Sequence, residues 1–332
     1  MNLVTGATGH IGNVLVRHLL ARRERVRALV LPGEDLTPLA GLPIELAIGD
    51  VLDPTSLQAA FQGVRCAYHL AGMISILPGP DQRLMEVNLT GTRNVLIAAQ
   101  QAGVRRLVYT SSIHALQRIP HGTTIDEDIP FDPEGALSAY DHSKAAASLE
   151  VLQAAGQGLP AIIACPTGVI GPYDYRRSEI GRLIQSCLQR KPQLFVDGAY
   201  DFVDVRDVAR GLILACERGR PGQTYILSGE QITVRGLLDS IRSLTGQRLP
   251  RLRIPFWLAR LAAAASPLFY RLTHFPPRFT PYSLVTLQSN SRISHRKAEH
   301  ELGYSPRPLH YTITDTVLWF LENRSLFPVH AR

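Results

Sequence analysis

The sequence predicts an α/β protein, a doubly wound parallel sheet followed by a smaller, mostly helical C-terminal lobe. Three observations lead there. Short apolar runs that read as strands alternate with helical patterns over the first half of the chain. A glycine-rich turn, Thr5-Gly6-Ala7-Thr8-Gly9-His10-Ile11-Gly12, joins the first such strand to the first such helix. Beyond residue 170 the alternation loses its regularity and proline becomes frequent, as at Pro255, Pro267, Pro276, Pro277 and Pro281.

Taken in order, Leu3 to Thr5 ends a strand and NVLVRHLLARR carries the apolar spacing of a helix. VRALVL is a second strand. Leu46 to Ile48 is a third, ending at Gly49-Asp50, and Asp53-Pro54 opens a helix through Phe61. CAYHLA (66–71) is a fourth strand, after which Met85 to Ala102 places Val87, Val95, Leu96 and Ala99 at helical spacing. RLVYTSS (106–112), the helix Ala139 to Gln153 and the strand PAIIACP (160–166) complete the pattern. Strands separated by helices pair in parallel, and right-handed crossovers then cover both faces of the sheet.

With 45% hydrophobic and 19% charged residues, the 332-residue chain has the composition of a folded globular protein. The net charge of +7 comes from scattered arginines, densest at Arg22, Arg23, Arg25 and Arg27. Without a basic tail or an aromatic-interleaved basic stripe, no nucleic-acid partner is expected. Cys66, Cys165, Cys187 and Cys216 lie far apart with no C-x-x-C, so buried free thiols in a reducing compartment are the reading. The start lacks a basic segment followed by a long apolar one, and a cytoplasmic location is expected. The apolar run FWLARLAAAASPLFYRL (256–272) holds Arg260 and Arg271, and Pro267 is expected to break its helix. It reads as a buried or amphipathic lid, with peripheral membrane contact as the alternative, and not as a transmembrane segment.

The glycine turn carries the first chemistry. Gly6 permits a tight exit from the strand, Gly9 lets backbone approach a diphosphate, and Gly12 lets the helix pack close to the sheet. A diphosphate there meets the positive end of the following helix. Residues 1–170 are therefore expected to form a Rossmann NAD(P)-binding domain, and 171–332 a substrate-binding lobe interleaved with late strands of the sheet.

Tyr140-Asp141-His142-Ser143-Lys144 carries the second. A tyrosine and a lysine four apart lie on one helix face, and an ammonium beside a phenol lowers its pKa toward acid–base use near neutrality. The preceding strand, Tyr109-Thr110-Ser111-Ser112, ends at the carboxyl edge of the sheet, where such folds bind ligands. Asp141 and His142 are expected at the rim or facing solvent.

The spacing G-x-x-G-x-x-G, followed by Y-x-x-x-K, resembles the extended branch of the short-chain dehydrogenase/reductase superfamily, the NAD-dependent epimerase/dehydratase group, nearest its dihydroflavonol reductase and 3β-hydroxysteroid dehydrogenase-like members. The resemblance implies Ser112, Tyr140 and Lys144 as the catalytic residues. Ser112 would bind the substrate oxygen in preference to its neighbour Ser111, Tyr140 would transfer the proton, and Lys144 would also hold the nicotinamide ribose. Cofactor contacts are implied for Gly6, Thr8, Gly9, His10, Ile11 and Gly12, and for Asp50 and Val51 of GDVLD, with Asp53 as a helix cap. They are implied likewise for Leu70, Ala71 and Gly72 of HLAG, for Asn88 of NLTGT, and for Pro166, Gly168 and Val169 of PTGVIGP. Asn88 reads alternatively as a satisfied polar residue on a buried helix. The aspartates of DFVDVRDVA (201–209) are implied to tie the late lobe to the sheet.

For the cofactor, Val30 and Leu31 supply neither the acid that selects NAD nor the arginine that selects NADP. Glu34 and Asp35 could serve NAD, and Arg22, Arg23 or Arg27 could reach a phosphate; the reading inclines to NADP. The expected reaction is reduction of a ketone or aldehyde, or oxidation of the secondary alcohol, on an apolar small molecule. Phe256, Trp257, Leu258, Phe269 and Tyr270 suit such a substrate. A sugar-nucleotide epimerase or dehydratase is the alternative, with Arg176, Arg177, Arg251, Arg253 and Arg278 available for a diphosphate. A non-catalytic dinucleotide sensor is the minor one, and a homodimer is expected by analogy.

Overall fold

The computed structural model describes residues 1–75, 81–246, 251–273, 281–288 and 292–327, with only the backbone for 267–273. Phe269, Tyr270 and Arg271 therefore lack described side chains, and Pro276, Pro277 and Arg278 lie outside the described residues.

Strands β1 (Asn2–Thr5), β2 (Val26–Val30) and β3 (Glu45–Ile48) are linked by helix α1 (His10–Ala21) and a loop; α2 (Pro54–Ala60) leads to β4 (Cys66–His69). Helices α3 (Gln82–Met85) and α4 (Gly91–Gln101) flank a single wide π-turn, Glu86–Thr90, where an uninterrupted helix from Met85 was expected. Then follow β5 (Arg106–Thr110), α5 (Ala139–Gly156), β6 (Ala161–Pro166) and β7 (Gly168–Ile170). The remaining elements are α6 (Glu179–Leu188), β8 (Gln193–Phe195), β9 (Ala199–Asp204), α7 (Val205–Arg218), β10 (Thr224–Leu227), β11 (Glu230–Thr233), α8 (Val234–Thr245) and β12 (Arg251–Arg253), then α9 (Phe256–Thr273), α10 (Pro281–Leu287), α11 (Arg296–Leu302) and α12 (Leu309–Glu322).

Seven parallel strands form the main sheet in the order β3-β2-β1-β4-β5-β6-β10. The order reverses between β1 and β4, and this switch point opens a crevice at the carboxyl edge. Apolar side chains cover both faces. Val4, Val14, Leu15, Leu212 and Tyr225 belong to one buried cluster; Leu3, Leu57, Val95, Leu107 and Val151 belong to the other. Continuous burial of β4 and β6 is what a parallel sheet covered on both sides requires. The chain after residue 170 returns to this sheet, since α7 packs beside α1 and β10 adds the seventh strand. The rest builds a second unit around Ile184, Leu238, Ile313 and Phe320, with the small sheet β11-β9-β7.

Three aspartates tie the parts together. Asp201 accepts hydrogen bonds from Thr167 Oγ1 (2.6 Å) and Gly229 N (2.9 Å). Asp204 pairs at 2.6 Å with Arg206, which reaches Asp315 of α12 at 2.7 Å, and Asp207 takes two bonds from the Arg307 guanidinium, both 2.9 Å.

Pro267 does not end its helix, because α9 runs through it. An internal proline removes one helical hydrogen bond at a cost of about 3 kcal/mol. Packing of the small face formed by Ala259 and Ala263 against Val196 and Leu284 offsets that cost. Phe256 packs against the same face, whereas Trp257, Leu258 and Leu261 are exposed, Trp257 at 63%. No helix among the described residues is long and apolar enough to cross a membrane.

Candidate active site

The glycine turn leaves β1 at the switch point. Gly6 has φ +66, and a Cβ there would stand 2.7 Å from Ala71 N, so only glycine fits between the turn and the HLAG loop. At Gly12 a Cβ would lie 2.1 Å from Gly6 O, which fixes how closely α1 approaches the turn. Gly9 is the N-cap of α1, no side chain caps it, and no acidic residue occupies the first turn. The amide groups and positive end of this helix thus form a cradle that fits a dinucleotide diphosphate.

His69 organises the neighbouring loop. Its Nδ1 is 2.8 Å from Thr5 Oγ1 and its Nε2 is 3.0 Å from Thr92 Oγ1. Thr92 donates to Asn88 O at 2.6 Å, so its oxygen must accept from a protonated Nε2, and Thr5 then donates to Nδ1. Thr5 Oγ1 in turn accepts from Leu70 N (3.2 Å) and Ala71 N (3.0 Å). Burial, reinforced by the Lys144 ammonium, pushes the His69 pKa down to about 3, so the imidazole is a neutral strut.

Asn88 sits in the π-turn. Its side chain accepts from Met73 N (2.7 Å) and donates to Met73 O (3.0 Å) and to Ser143 Oγ (2.9 Å). It ties the segment after Gly72 to α5, and a Cβ on Gly72 would lie 3.1 Å from Asn88 Oδ1 and 3.6 Å from Lys144 Nζ. After β3, Asp50 accepts from Leu52 N at 2.9 Å, Val51 is buried, and Asp53 caps α2 through Thr55 N at 3.0 Å. His10 Nε2 lies 3.0 Å from Pro172 O and Ile11 packs on the core, while Gly168 and Val169 of β7 are half-buried across the crevice.

The two serines after β5 face different ways. Ser111 Oγ pairs with Ser148 Oγ at 2.7 Å, inside the molecule. Ser112 Oγ accepts from His114 N at 3.2 Å, which leaves its own hydrogen available to donate. Its hydrogen bonding with the Tyr140 phenol lowers the phenol's pKa, but burial dominates and raises it to about 12. Lys144 does not act as expected from the spacing. Its Nζ donates to Thr110 O (2.8 Å) and contacts Tyr109 OH (3.4 Å), lying 4.9 Å from that ring's centroid. Burial lowers the ammonium to about 8, and the phenol's perturbers are Ser112, Asp141 and Cys165. In this arrangement Lys144 is bound to the end of β5, and burial decides the direction of the Tyr140 shift.

Asp141 departs from the rim position expected of it, being 1% exposed. Tyr282 OH donates to its Oδ1 at 2.8 Å, and Arg118 Nη2 lies 3.5 Å from its Oδ2. His142 is half-buried against Pro133 O at 2.9 Å. Around the Tyr140 phenol stand residues that sequence reasoning missed. Tyr200 is hydrogen-bonded to His114 Nε2 and packs on Phe202 with ring centroids 5.3 Å apart; His114 and Tyr282 lie with ring centroids 6.0 Å apart. Only the F-V-D wording of residues 202–204 hinted at this wall.

At the carboxyl end of β2, Glu34 accepts from Thr8 Oγ1 (2.5 Å) and Leu31 N (2.9 Å) and pairs with Arg176, which also donates to Thr8 (2.7 Å). Arg22 and Arg27 belong to the opposite, amino edge. Arg22 pairs with Glu24 and Glu217, whereas Arg27 binds Glu45 and the carbonyls of Ala60 and Gln62. Arg23 follows the C-terminal end of α1 at the same edge, so none of the three reaches the glycine turn.

A diphosphate cradle at a switch point, facing a serine, a tyrosine and a buried lysine, defines a dinucleotide-dependent oxidoreductase of the short-chain dehydrogenase/reductase type. The chain belongs to the NAD dependent epimerase/dehydratase family, whose model matches residues 2–228. It is similar to sterol demethylase protein B of Methylococcus capsulatus, 40% identical over 96% of this chain and 98% of that protein. It is also similar to a 3 beta-hydroxysteroid dehydrogenase/Delta 5-->4-isomerase of Mycobacterium tuberculosis, 30% identical over 92% of this chain and 85% of the relative. Among solved structures, that of gox2253 superimposes with a TM-score of 0.85 at 36% identity, over 97% of this chain and 98% of the other.

Proposed function

We propose that the chain reduces a ketone, or oxidises the corresponding secondary alcohol, on a flat and largely apolar ring compound. The observation that carries this reading is the aromatic wall of Tyr200, Phe202, Tyr282 and the His114 ring beside the Ser112–Tyr140 pair. Such a wall suits a ring face, and few polar groups then orient the reacting oxygen. The names of the relatives, a sterol-modifying protein and a hydroxysteroid dehydrogenase, support the same class.

The residues divide the work by position. Ser112 donates to the substrate oxygen and stabilises the negative charge that develops on it. Tyr140 gives that oxygen its proton, a transfer favoured by a phenol kept protonated through neutral pH. Gly6, Gly9 and Gly12 seat the diphosphate. Lys144, beside Gly72, would hold the ribose next to the nicotinamide. The bound nicotinamide supplies or removes the hydride. Residues 1–170 with α7 and β10 would form the cofactor domain, and the remainder of 171–332 the substrate lobe.

The placement of Glu34 favours NAD over the NADP to which the sequence inclines. Its carboxylate stands beside the glycine turn, where it would accept from ribose hydroxyls and repel a 2′-phosphate. Three of the five arginines offered for a sugar-nucleotide diphosphate are engaged elsewhere, Arg251 with Asp239, Arg253 with Asp197 and Arg176 with Glu34, which weighs against the epimerase reading.

The test is oxidation of NADH and NADPH by the purified protein with a panel of cyclic apolar ketones, with Tyr140→Phe alongside. Turnover with NADH that the variant loses supports the proposal. Absence of turnover across the panel, with dinucleotide retained tightly by the protein, overturns it in favour of an internally recycled cofactor.

A further inference from the structure

We propose that Cys66 and Cys216 form a hydroperoxide-reactive dithiol at the amino edge of the sheet, with Cys66 as the attacking thiol and Cys216 as the resolving one. The two residues are remote in sequence. Cys66 opens β4, Cys216 lies in the last turn of α7, and both side chains belong to the cluster between the sheet and that helix. They line one cavity of 490 Å³, shared with Arg65, Arg105, Arg106 and Tyr68. The cavity lies at the opposite edge of the sheet from the candidate active site.

Three features separate this pair from ordinary buried thiols. Cys66, Cys216 and Tyr68 lie together on that cavity, and Cys66 stands directly opposite Arg106 of the neighbouring strand β5. The neighbouring Cys216 thiol, and after it the Arg65 guanidinium, hold the Cys66 thiol below the usual range against the opposing effect of burial. The acids lining the same cavity do not neutralise the arginines. Glu24 is bound to Asn2 and Arg22, and Glu217 to Arg22; among the described residues Arg65, Arg105 and Arg106 have no carboxylate partner at ion-pair distance. Finally, both residues line the cavity, Cys66 and Cys216 being 8% and 6% exposed. Cys165 and Cys187 are sealed, and burial raises their pKa values to about 12 and about 11.

The chemistry balances with a hydroperoxide as oxidant. The Cys66 thiolate attacks the distal peroxide oxygen, the O–O bond breaks, and the leaving alkoxide or hydroxide takes a proton from solvent, leaving a sulfenic acid on Cys66. Cys216 then attacks that sulfur. The S–S bond forms, the S–O bond breaks, and the departing hydroxide takes up the Cys216 proton as water. The two thiols are oxidised by two electrons and the peroxide is reduced by two.

The reduced protein is treated with a small excess of hydrogen peroxide, alkylated, and mapped by mass spectrometry. The expected product is a Cys66–Cys216 linked peptide within one chain, with loss of two hydrogens, while Cys165 and Cys187 remain alkylated. In Cys216→Ser the intermediate is expected to be trapped by dimedone on Cys66. Without peroxide, Cys66 is expected to react with iodoacetamide at least about tenfold faster than Cys165 or Cys187. Circular dichroism confirms the fold of the variant, and the wild-type peptide map needs no substitution at all. Free Cys66 and Cys216 after peroxide, a link between two chains, or dimedone on other cysteines alone would overturn the proposal.

Discussion

Asp141, the residue after Tyr140 on α5, accepts a 2.8 Å hydrogen bond from the phenol of Tyr282 at the start of α10. This contact ties the late lobe to the helix that carries the reactive tyrosine, one residue away from it. The carboxylate is buried, and its other charged contact is Arg118 at 3.5 Å. Tyr282→Phe keeps the ring and removes the donor, which costs about 1–3 kcal/mol where a buried acceptor loses its partner. Urea melts are expected to show that loss. Steady-state kinetics are expected to show a higher KM with kcat nearly unchanged, because Tyr140 is untouched. An unaltered melt would mean that the contact does not hold the lobe.

Tyr140→Phe is expected to lower kcat by about 10²–10⁴, the usual contribution of a positioned proton donor. Dinucleotide binding, followed by quenching of protein fluorescence, should remain within about threefold of wild type. Ser112→Ala should fall in the same direction by about 10²–10³, since it removes one donor to the developing charge. Loss of binding in parallel with activity would place Tyr140 in a structural role.

Gly12→Ala brings a Cβ to 2.1 Å from a backbone oxygen that cannot move away without opening the turn. The expected result is a loss of dinucleotide affinity of at least about tenfold, together with a destabilisation of about 1–3 kcal/mol. Gly63→Ala is the comparison. Its φ is +70 but nothing lies within 4 Å, so about 1 kcal/mol of backbone strain is expected there with affinity retained. Calorimetric titration and thermal melts on the two variants separate crowding at the cradle from strain alone.

Two buried bases make stability depend on pH. Lys144 is held at about 8 by burial against its usual 10.5, so between these values the unfolded chain binds more protons and stability rises with pH. A shift of this size corresponds to roughly 3 kcal/mol, and Lys144→Met is expected to abolish the rise. His69 is held at about 3 against 6.5, so stability is lost as pH falls from 6.5 toward 3. His69→Gln, which lacks the titrating group, should flatten that limb of the profile. Denaturant melts across pH 3 to 10.5 test both, and a profile unchanged in either variant would remove that base from the account.

Removing the charge beside the glycine turn tests the cofactor reading. Glu34→Gln leaves a hydrogen-bonding group at the end of β2 but removes the charge that faces a 2′-phosphate and the partner of Arg176. The ratio of NADPH to NADH affinity is expected to rise by about tenfold, the effect of one charge-assisted contact. An unchanged ratio would show that selection lies elsewhere.

What the sequence determined by itself is whatever depends on neighbours along the chain. The alternation of strands and helices, the glycines of the turn after β1 and the helical offset between Tyr140 and Lys144 are all local, because backbone sterics and helical periodicity act over a few residues. Even there the limits were local too. Burial of α9's small face kept the helix intact through Pro267, and the wide turn at Glu86–Thr90 left no mark in the hydrophobic pattern. The tertiary structure alone decided which side chains meet. Asp141 became buried because Tyr282 and Arg118 close over it, Lys144 turned to Thr110 O, and Glu34 met Arg176 across the glycine turn. Tyr200 and Tyr282 came into the neighbourhood of Tyr140 from elements far along the chain, and Cys66 of β4 and Cys216 of α7 came to line one cavity. These contacts join residues separated by many turns of chain. Their energies come from burial and pairing in the folded core, which no stretch of sequence contains before the sheet assembles.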